Sequence, residues 1–115
     1  MGETIFSKII RKEIPAKIVY ESDSVLAFRD INPQAPVHIL IIPKVDVADV
    51  REISGKDHAE LLGDLMDAAN EVARLENLDK NGFRLVINSG PDSGQEVPHL
   101  HIHLLGGRKM NWPPG

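Results

Sequence analysis

Three of the five histidines in this 115-residue chain occupy alternate positions in Pro98-His99-Leu100-His101-Ile102-His103-Leu104-Leu105. Read as a strand, the run places His99, His101 and His103 on one face and Leu100, Ile102 and Leu104 on the other, because side chains alternate across a pleated backbone. A helix would turn each successive histidine by about 200 degrees and scatter the set. One face is left for packing and the other for chemistry.

Imidazole titrates near pH 6.5, so a cluster of three holds neutral and protonated rings side by side, each biasing its neighbours. A neutral ring can attack an electrophile, and a cationic ring can stabilise negative charge. That combination suits attack on phosphorus: a nitrogen nucleophile forms a covalent intermediate while nearby donors neutralise the equatorial oxygens. The central residue, His101, is the expected nucleophile. The competing reading is a metal site, since neutral imidazole is the commonest protein ligand. Residues i and i+4 of a strand lie roughly 13 Å apart, whereas zinc wants each nitrogen at about 2.0–2.1 Å, so the three cannot easily converge on one ion. Two of them with His38 could do so. The chain has no cysteine, however, and the run contains no acidic residue, so no metal or other cofactor is assigned. The plainest alternative is a polar strand face turned to solvent.

The elements that must position these rings are readable from pattern. Phe6, Ile9 and Ile10 recur at helical spacing and stop before Pro15, predicting a short helix. Residues 17–21 and 25–29 read as strands around the turn-type cluster Ser22-Asp23-Ser24, hence a hairpin. The prolines of Asn32-Pro33-Gln34-Ala35-Pro36 interrupt regular structure. Val37-His38-Ile39-Leu40-Ile41-Ile42 is almost wholly apolar and ends at Pro43, as expected for a strand buried on both faces at the centre of the sheet. His38 is its only polar side chain, and such a residue is commonly a hydrogen-bonded core histidine.

Ser54-x-x-Asp57 resembles a capping box, and Leu61, Leu62, Leu65, Met66, Ala69, Val72 and Ala73 trace an apolar stripe after it, predicting one long helix over residues 57–77. Its stripe reads as core. Asn81-Gly82 marks a turn into the strand Phe83–Asn88, and Ser89-Gly90-Pro91-Asp92-Ser93-Gly94-Gln95 reads as a flexible loop delivering the chain to the histidine run. Glycines there allow main-chain N–H groups to turn toward an anion, although an ordinary hairpin loop is the prior expectation. Together these elements predict an α+β fold: a mainly antiparallel five-stranded sheet with one long and one short helix.

Length and composition allow a single domain over residues 1–115, with 108–115 as a C-terminal tail. The chain is 42% hydrophobic and 26% charged, ordinary for a soluble globule, and its net charge of −4 argues against an extended nucleic-acid surface. Glu3, Thr4 and Ser7 interrupt any secretory apolar core, and Phe6 breaks the lipidation pattern that Met1-Gly2 would begin. The longest apolar run, Ile39–Ile42, is far short of the roughly 20 residues that cross a bilayer. A cytoplasmic protein without membrane association is expected.

His99-Leu100-His101-Ile102-His103-Leu104-Leu105 resembles the His-x-His-x-His-x-x signature, with x apolar, of the histidine-triad (HIT) family of nucleotide hydrolases and transferases. Gly106-Gly107-Arg108, the final Trp112-Pro113-Pro114-Gly115 and the early stretch from Ile5 to Lys17 look like the Hint branch, which hydrolyses purine nucleoside phosphoramidates. The resemblance runs end to end. It implies that His101 attacks phosphorus, that His99 fixes the tautomer of His101, that His103 donates to a phosphate oxygen, and that His38 orients the triad. It implies main-chain donors around Gly94, Gln95 and Glu96, Asp30 on the ribose hydroxyls, and Asn88 near ribose and phosphate. Phe6, Ile9, Ile14, Phe28 and Ile31 would wall the purine. It further implies a two-fold homodimer whose tail, with Trp112, reaches the neighbour's pocket.

Where some relatives carry serine, this chain has Glu96, a carboxylate that could favour cationic amine leaving groups. Transferases of the family replace the third triad histidine with glutamine, and dinucleoside polyphosphate hydrolases end the motif with glutamine; His103 and Leu105 fit neither. The expected reaction is therefore cleavage of the P–N bond of a purine nucleoside 5′-phosphoramidate through a nucleotidyl-histidine. The alternatives are dinucleoside polyphosphate hydrolysis and a nucleotide-binding adaptor that retains the triad only as a ligand pocket.

Overall fold

Val37–Pro43 (β3) is the middle strand of a five-stranded antiparallel sheet, flanked by Val25–Arg29 (β2) on one side and Ile102–Gly106 (β5) on the other. Ile18–Glu21 (β1) and Arg84–Ile87 (β4) form the two edges, giving the order β1-β2-β3-β5-β4. Two helices complete the α+β architecture, the short Ile5–Ile10 (α1) and the long Ala59–Leu75 (α2). This computed structural model describes residues 3–115; Met1 and Gly2, considered above for lipidation, lie outside them. Among the described residues no helix is long and apolar enough to cross a membrane.

The central strand follows from its composition. Ile39, Ile41 and Ile42 are fully buried, and alternation sends Ile39 and Ile41 to one face of the sheet and Leu40 and Ile42 to the other. On the first face α2 packs through Leu65, Ala69 and Val72 against Ile39, Ile41 and the Leu100, Ile102 and Leu104 set. Burying each Leu or Val there contributes about 1.5–3 kcal/mol. On the second face Phe6 and Ile9 of α1 cover Leu26, Phe28, Leu40 and Ile42. A helix of six residues cannot stand alone. It is fixed by this burial and by a capping box in which Thr4 Oγ1 accepts from the Ser7 N–H while Ser7 Oγ accepts from the Thr4 N–H.

Three expectations are corrected. The strand carrying the histidines begins only at Ile102, so His103 lies in β5 while His99 and His101 belong to an extended lead-in. The β3 ladder ends beside it: Ile41 pairs with Ile102, and beyond that the Leu100 N–H turns to the Val47 carbonyl instead. Second, α2 starts at Ala59, because residues 55–58 form a turn. Ser54 Oγ does accept from the Asp57 N–H, but the reciprocal contact to the Ser54 N–H comes from Nδ1 of His58 rather than from Asp57. Met66 is 42% exposed, and Ala68 takes its place in the buried stripe. Third, the loop before the triad is folded as a 3-10 turn over Pro91–Ser93, bracketed by Gly90 and Gly94 at φ of +85° and +84°, backbone values that a side chain would strain.

Candidate active site

The alternation read from the sequence survives the shortened strand. Leu100, Ile102 and Leu104 enter the core beneath α2, while the rings of His99, His101 and His103 turn toward α1. Phe6 meets the His101 ring edge-on at a centroid distance of 5.1 Å and the His99 ring at 6.1 Å. His103 stands opposite Leu40 of β3, and His38, opposite Leu105, is its diagonal neighbour on the same face. The rings of His101 and His103 are 4.9 Å apart, and those of His38 and His103 5.2 Å.

Hydrogen bonds settle which nitrogen of each ring carries the proton. Nδ1 of His101 lies 2.7 Å from the main-chain carbonyl of His99, so Nδ1 must donate and Nε2 keeps its lone pair. The Gln34 N–H donates to Nδ1 of His38 over 3.0 Å, so the neutral His38 ring carries its proton on Nε2. That Nε2–H points at Nδ1 of His103, 3.0 Å away, which leaves the proton of His103 on its own Nε2. The relay from Gln34 through His38 ends in a donor on His103, and the separate bond to the His99 carbonyl leaves an acceptor on His101.

Burial keeps these rings neutral. Desolvation pushes the pKa of His101 below its ordinary value, with the hydrogen bond to the His99 carbonyl acting in the opposite direction. Desolvation, then His101 and His38 as neighbouring charges, lowers His103 to about 4. His38 is lowered by desolvation too, with Asp30 pulling the other way. A neutral His101 is the nucleophilic form, held ready at neutral pH without a base to deprotonate it.

His101 and His103 open on a cavity of about 170 Å³ lined also by Phe6, Asp30, Leu40, Asn88, Gly94, Glu96 and Val97. This space suits a phosphoryl group but is below the roughly 300 Å³ at which ligand pockets begin. Asp30 also lines an adjoining cleft of about 620 Å³ with Pro15, Ala16, Lys17, Arg29, Ile31 and Pro33. A mononucleotide placed across both would have its sugar at Asp30.

Residues 11–110 match the HIT domain. The chain belongs to the HIT family. It is 59% identical over 113 residues to the 14 kDa zinc-binding protein of Zea mays, a match spanning 97% of this chain and 88% of that one. Adenylylsulfatase HINT1 of Arabidopsis thaliana is 57% identical over 113 residues, spanning 97% of this chain and 76% of its own, and supports the Hint branch. The crystal structure of a HIT family hydrolase from Legionella pneumophila Philadelphia 1 is similar with a TM-score of 0.94 and 50% identity, covering 98% of this chain and 100% of that one.

Several residue assignments within this HIT domain need revision. The ring of His99 does not reach His101; it is 1% exposed and its Nε2 lies 2.9 Å from the Pro43 carbonyl, so the main chain of His99, not its side chain, sets the tautomer of His101. The Gly94 N–H is taken by the Pro91 carbonyl, which removes it as an anion donor. Among the described residues the Glu96 N–H has no such partner. The side chain of Gln95 is bonded to the main chain of the loop and of Ala48 and does not line the cavity.

The presumed purine walls are dispersed. Phe6 lines the catalytic cavity, Ile9 and Ile14 line a separate space of about 360 Å³ that shares Pro15 and Ala16 with the Asp30 cleft, and Ile31 is 97% exposed at the rim of that cleft. Phe28 is buried behind Phe6, its ring centroid 5.5 Å away, and supports the wall without lining it. Asn88 and Glu96 line the cavity. Trp112 is 80% exposed in the single chain. Leu40 and Val97 line the cavity without having been singled out; Leu40 was recoverable as the residue two beyond His38 on the same face.

Asp30, His38 and His103 each bring a ligand atom within 4.8 Å of the others, close enough to enclose a cation. Hydrogen-bond polarity opposes it. A metal on Nε2 of His38 would drive that ring's proton to Nδ1, where it would face the Gln34 N–H, two donors meeting head-on. The donor set does not fit a metal in this arrangement.

Proposed function

We propose that the protein hydrolyses purine nucleoside 5′-phosphoramidates through a nucleotidyl-His101 intermediate. The observation that carries this reading is the tautomer arrangement: Nε2 of His101 is unprotonated while the adjacent His103 presents an N–H to the same cavity. In the first step the Nε2 lone pair attacks phosphorus, the new N–P bond forms, and the P–N bond to the amine breaks. The amine leaves with that electron pair and takes a proton from water. In the second step water attacks phosphorus, the bond to Nε2 breaks with its electron pair returning to the ring, the attacking water gives up a proton to solvent in place of the one taken by the amine, and nucleoside monophosphate is released. His103 Nε2–H and the Glu96 main-chain N–H stabilise the charge on the phosphoryl oxygens. Asp30 uses Oδ1 to accept the Asn32 N–H and turns Oδ2 toward Nε2 of His38 at 3.5 Å; a ribose hydroxyl would share this carboxylate with them.

A second reading, transfer from adenylyl sulfate, is favoured by the name of the Arabidopsis relative. Both reactions would share the same intermediate and differ only in the leaving group. Glu96 lines the cavity, and a carboxylate on that residue would favour a cationic amine over sulfate as leaving group, which supports the phosphoramidate. Steady-state rates on adenosine 5′-phosphoramidates of cationic amines and on adenylyl sulfate decide between them: the amines should win by kcat/KM, and Glu96→Gln should narrow the gap. A preference for adenylyl sulfate would reverse the assignment.

The active unit is proposed to be a two-fold homodimer. β4 is an edge strand with Ile87 42% exposed, α2 presents Met66, and Arg84 donates to the Asn111 carbonyl, holding the tail beside that edge. Light scattering should give twice the chain mass, and a monomer at assay concentration would refute the dimer.

A further inference from the structure

The loop that brings Glu96 and Val97 to the His101 cavity is tied from outside by one side chain. Oε1 of Gln95 accepts the Gly90 N–H over 2.8 Å, while Nε2 donates to the Ala48 carbonyl at 2.9 Å and to the Val97 carbonyl at 3.0 Å. A primary amide offers two donors and one acceptor oxygen, so both donors and the oxygen are engaged. The same side chain therefore joins the start of the loop, its end and a third segment of the fold.

That third segment carries an ion pair of its own. Asp49, 5% exposed, accepts from the main-chain N–H of Arg51 at 2.8 Å and from Nε and Nη2 of its guanidinium at 2.9 and 2.8 Å. The guanidinium held in this way lies against Gly90, where an added Cβ would meet Nη1 at 3.0 Å. Gly90 is thus fixed on one side by Arg51 and on the other by Gln95. Gln95 has no cavity surface of its own, so this clamp is what its amide does.

We propose that Gln95 is a positioning residue for phosphoryl transfer: its amide holds the Gly90–Val97 loop so that the Glu96 main-chain N–H faces the phosphorus attacked by His101. The inference rests on the proposed role of His101. A displacement of about 1 Å at a reacting centre can cost on the order of 100-fold in rate, so a three-point clamp on the donor loop has leverage that no direct contact is needed to supply.

The test uses full-length Gln95→Glu, which keeps the acceptor but sets a carboxylate against two carbonyls, and Gln95→Met, which keeps the volume without hydrogen bonds. Turnover of an adenosine 5′-phosphoramidate is measured alongside calorimetric affinity for adenosine 5′-monophosphate and for adenosine. The expected result is a fall in kcat/KM of about 10- to 100-fold in both variants, unchanged adenosine affinity, and a narrowed advantage of the monophosphate over adenosine. A kcat/KM within twofold of the parent, or an equal loss for both ligands, would overturn the proposal. If the parent chain itself fails to turn over the phosphoramidate, the proposed reaction fails and the clamp is judged on the two affinities alone: a narrowed gap supports it and an unchanged gap refutes it. Failure of both variants to fold would make Gln95 a folding residue and refute the positioning role.

Discussion

The main-chain carbonyl of His99 accepts the Nδ1–H of His101 over 2.7 Å, and this contact, more than any between the rings, fits His101 for the proposed nucleophilic role. A backbone carbonyl cannot accept in one tautomer and donate in another. The lone pair is therefore confined to Nε2, and Phe6, packed edge-on against the ring, restricts its rotation.

The first prediction separates the two parts of His99. Because among the described residues its ring bonds only to the Pro43 carbonyl, His99→Gln should keep the backbone contact and most of the activity, with a kcat within about tenfold of the parent. His101→Ala should reduce turnover by several orders of magnitude, on the order of the loss seen when a nucleophile is removed, while nucleotide affinity persists. Equal losses in the two variants, read by steady-state kinetics, would assign His99 a direct chemical role.

His38 links the Gln34 N–H to Nδ1 of His103, so His38→Phe should free the His103 ring to adopt the wrong tautomer. The expected cost is about 10- to 100-fold in kcat. His38→Gln, able to donate to His103, should recover part of it. No loss with phenylalanine would contradict the relay.

Acid should reduce both rate and stability, for related reasons. The nucleophile acts unprotonated and its pKa lies below the ordinary imidazole value, so kcat/KM should be flat above about pH 6.5 and fall only below it. His103 has a folded pKa of about 4. Between about pH 6.5 and that value the unfolded chain binds the proton and the folded chain does not, so its contribution to stability is complete above that window and is lost as the pH falls through it. Melting temperature should decline on acidification across this range, and His103→Gln should flatten the decline. A melting temperature that rises on acidification would contradict the burial of neutral rings.

Zinc should be dispensable. The Gln34 N–H excludes a metal from Nε2 of His38, so prolonged chelation should leave turnover unchanged and calorimetry should find no stoichiometric zinc at Asp30, His38 and His103. Chelator-sensitive activity restored by zinc would require His38 to release its contact with Gln34.

Much of this is legible in the amino-acid sequence. The alternation of His99, His101 and His103 with Leu100, Ile102 and Leu104 identified both faces of the segment, and the apolar run around His38 identified the central strand. What escaped was decided by the main chain, whose hydrogen bonds side-chain identity does not reveal. The carbonyl of His99, the N–H of Gln34 and the occupied N–H of Gly94 are of this kind. Aromatic character does not distinguish a surface from the layer behind it, so Phe28 reads as a purine wall yet stands behind Phe6. Alternation continues through an extended segment that has no ladder partner, so the pattern alone does not show that the strand starts at Ile102.

Rapid-quench mass spectrometry during a single turnover of an adenosine 5′-phosphoramidate bears most directly on the chemistry. Quenching in alkaline denaturant should trap an adenylyl group on the peptide bearing His101, with amine released ahead of the monophosphate. Amine and monophosphate appearing in step, with no adduct at any quench time, would contradict a covalent His101 intermediate.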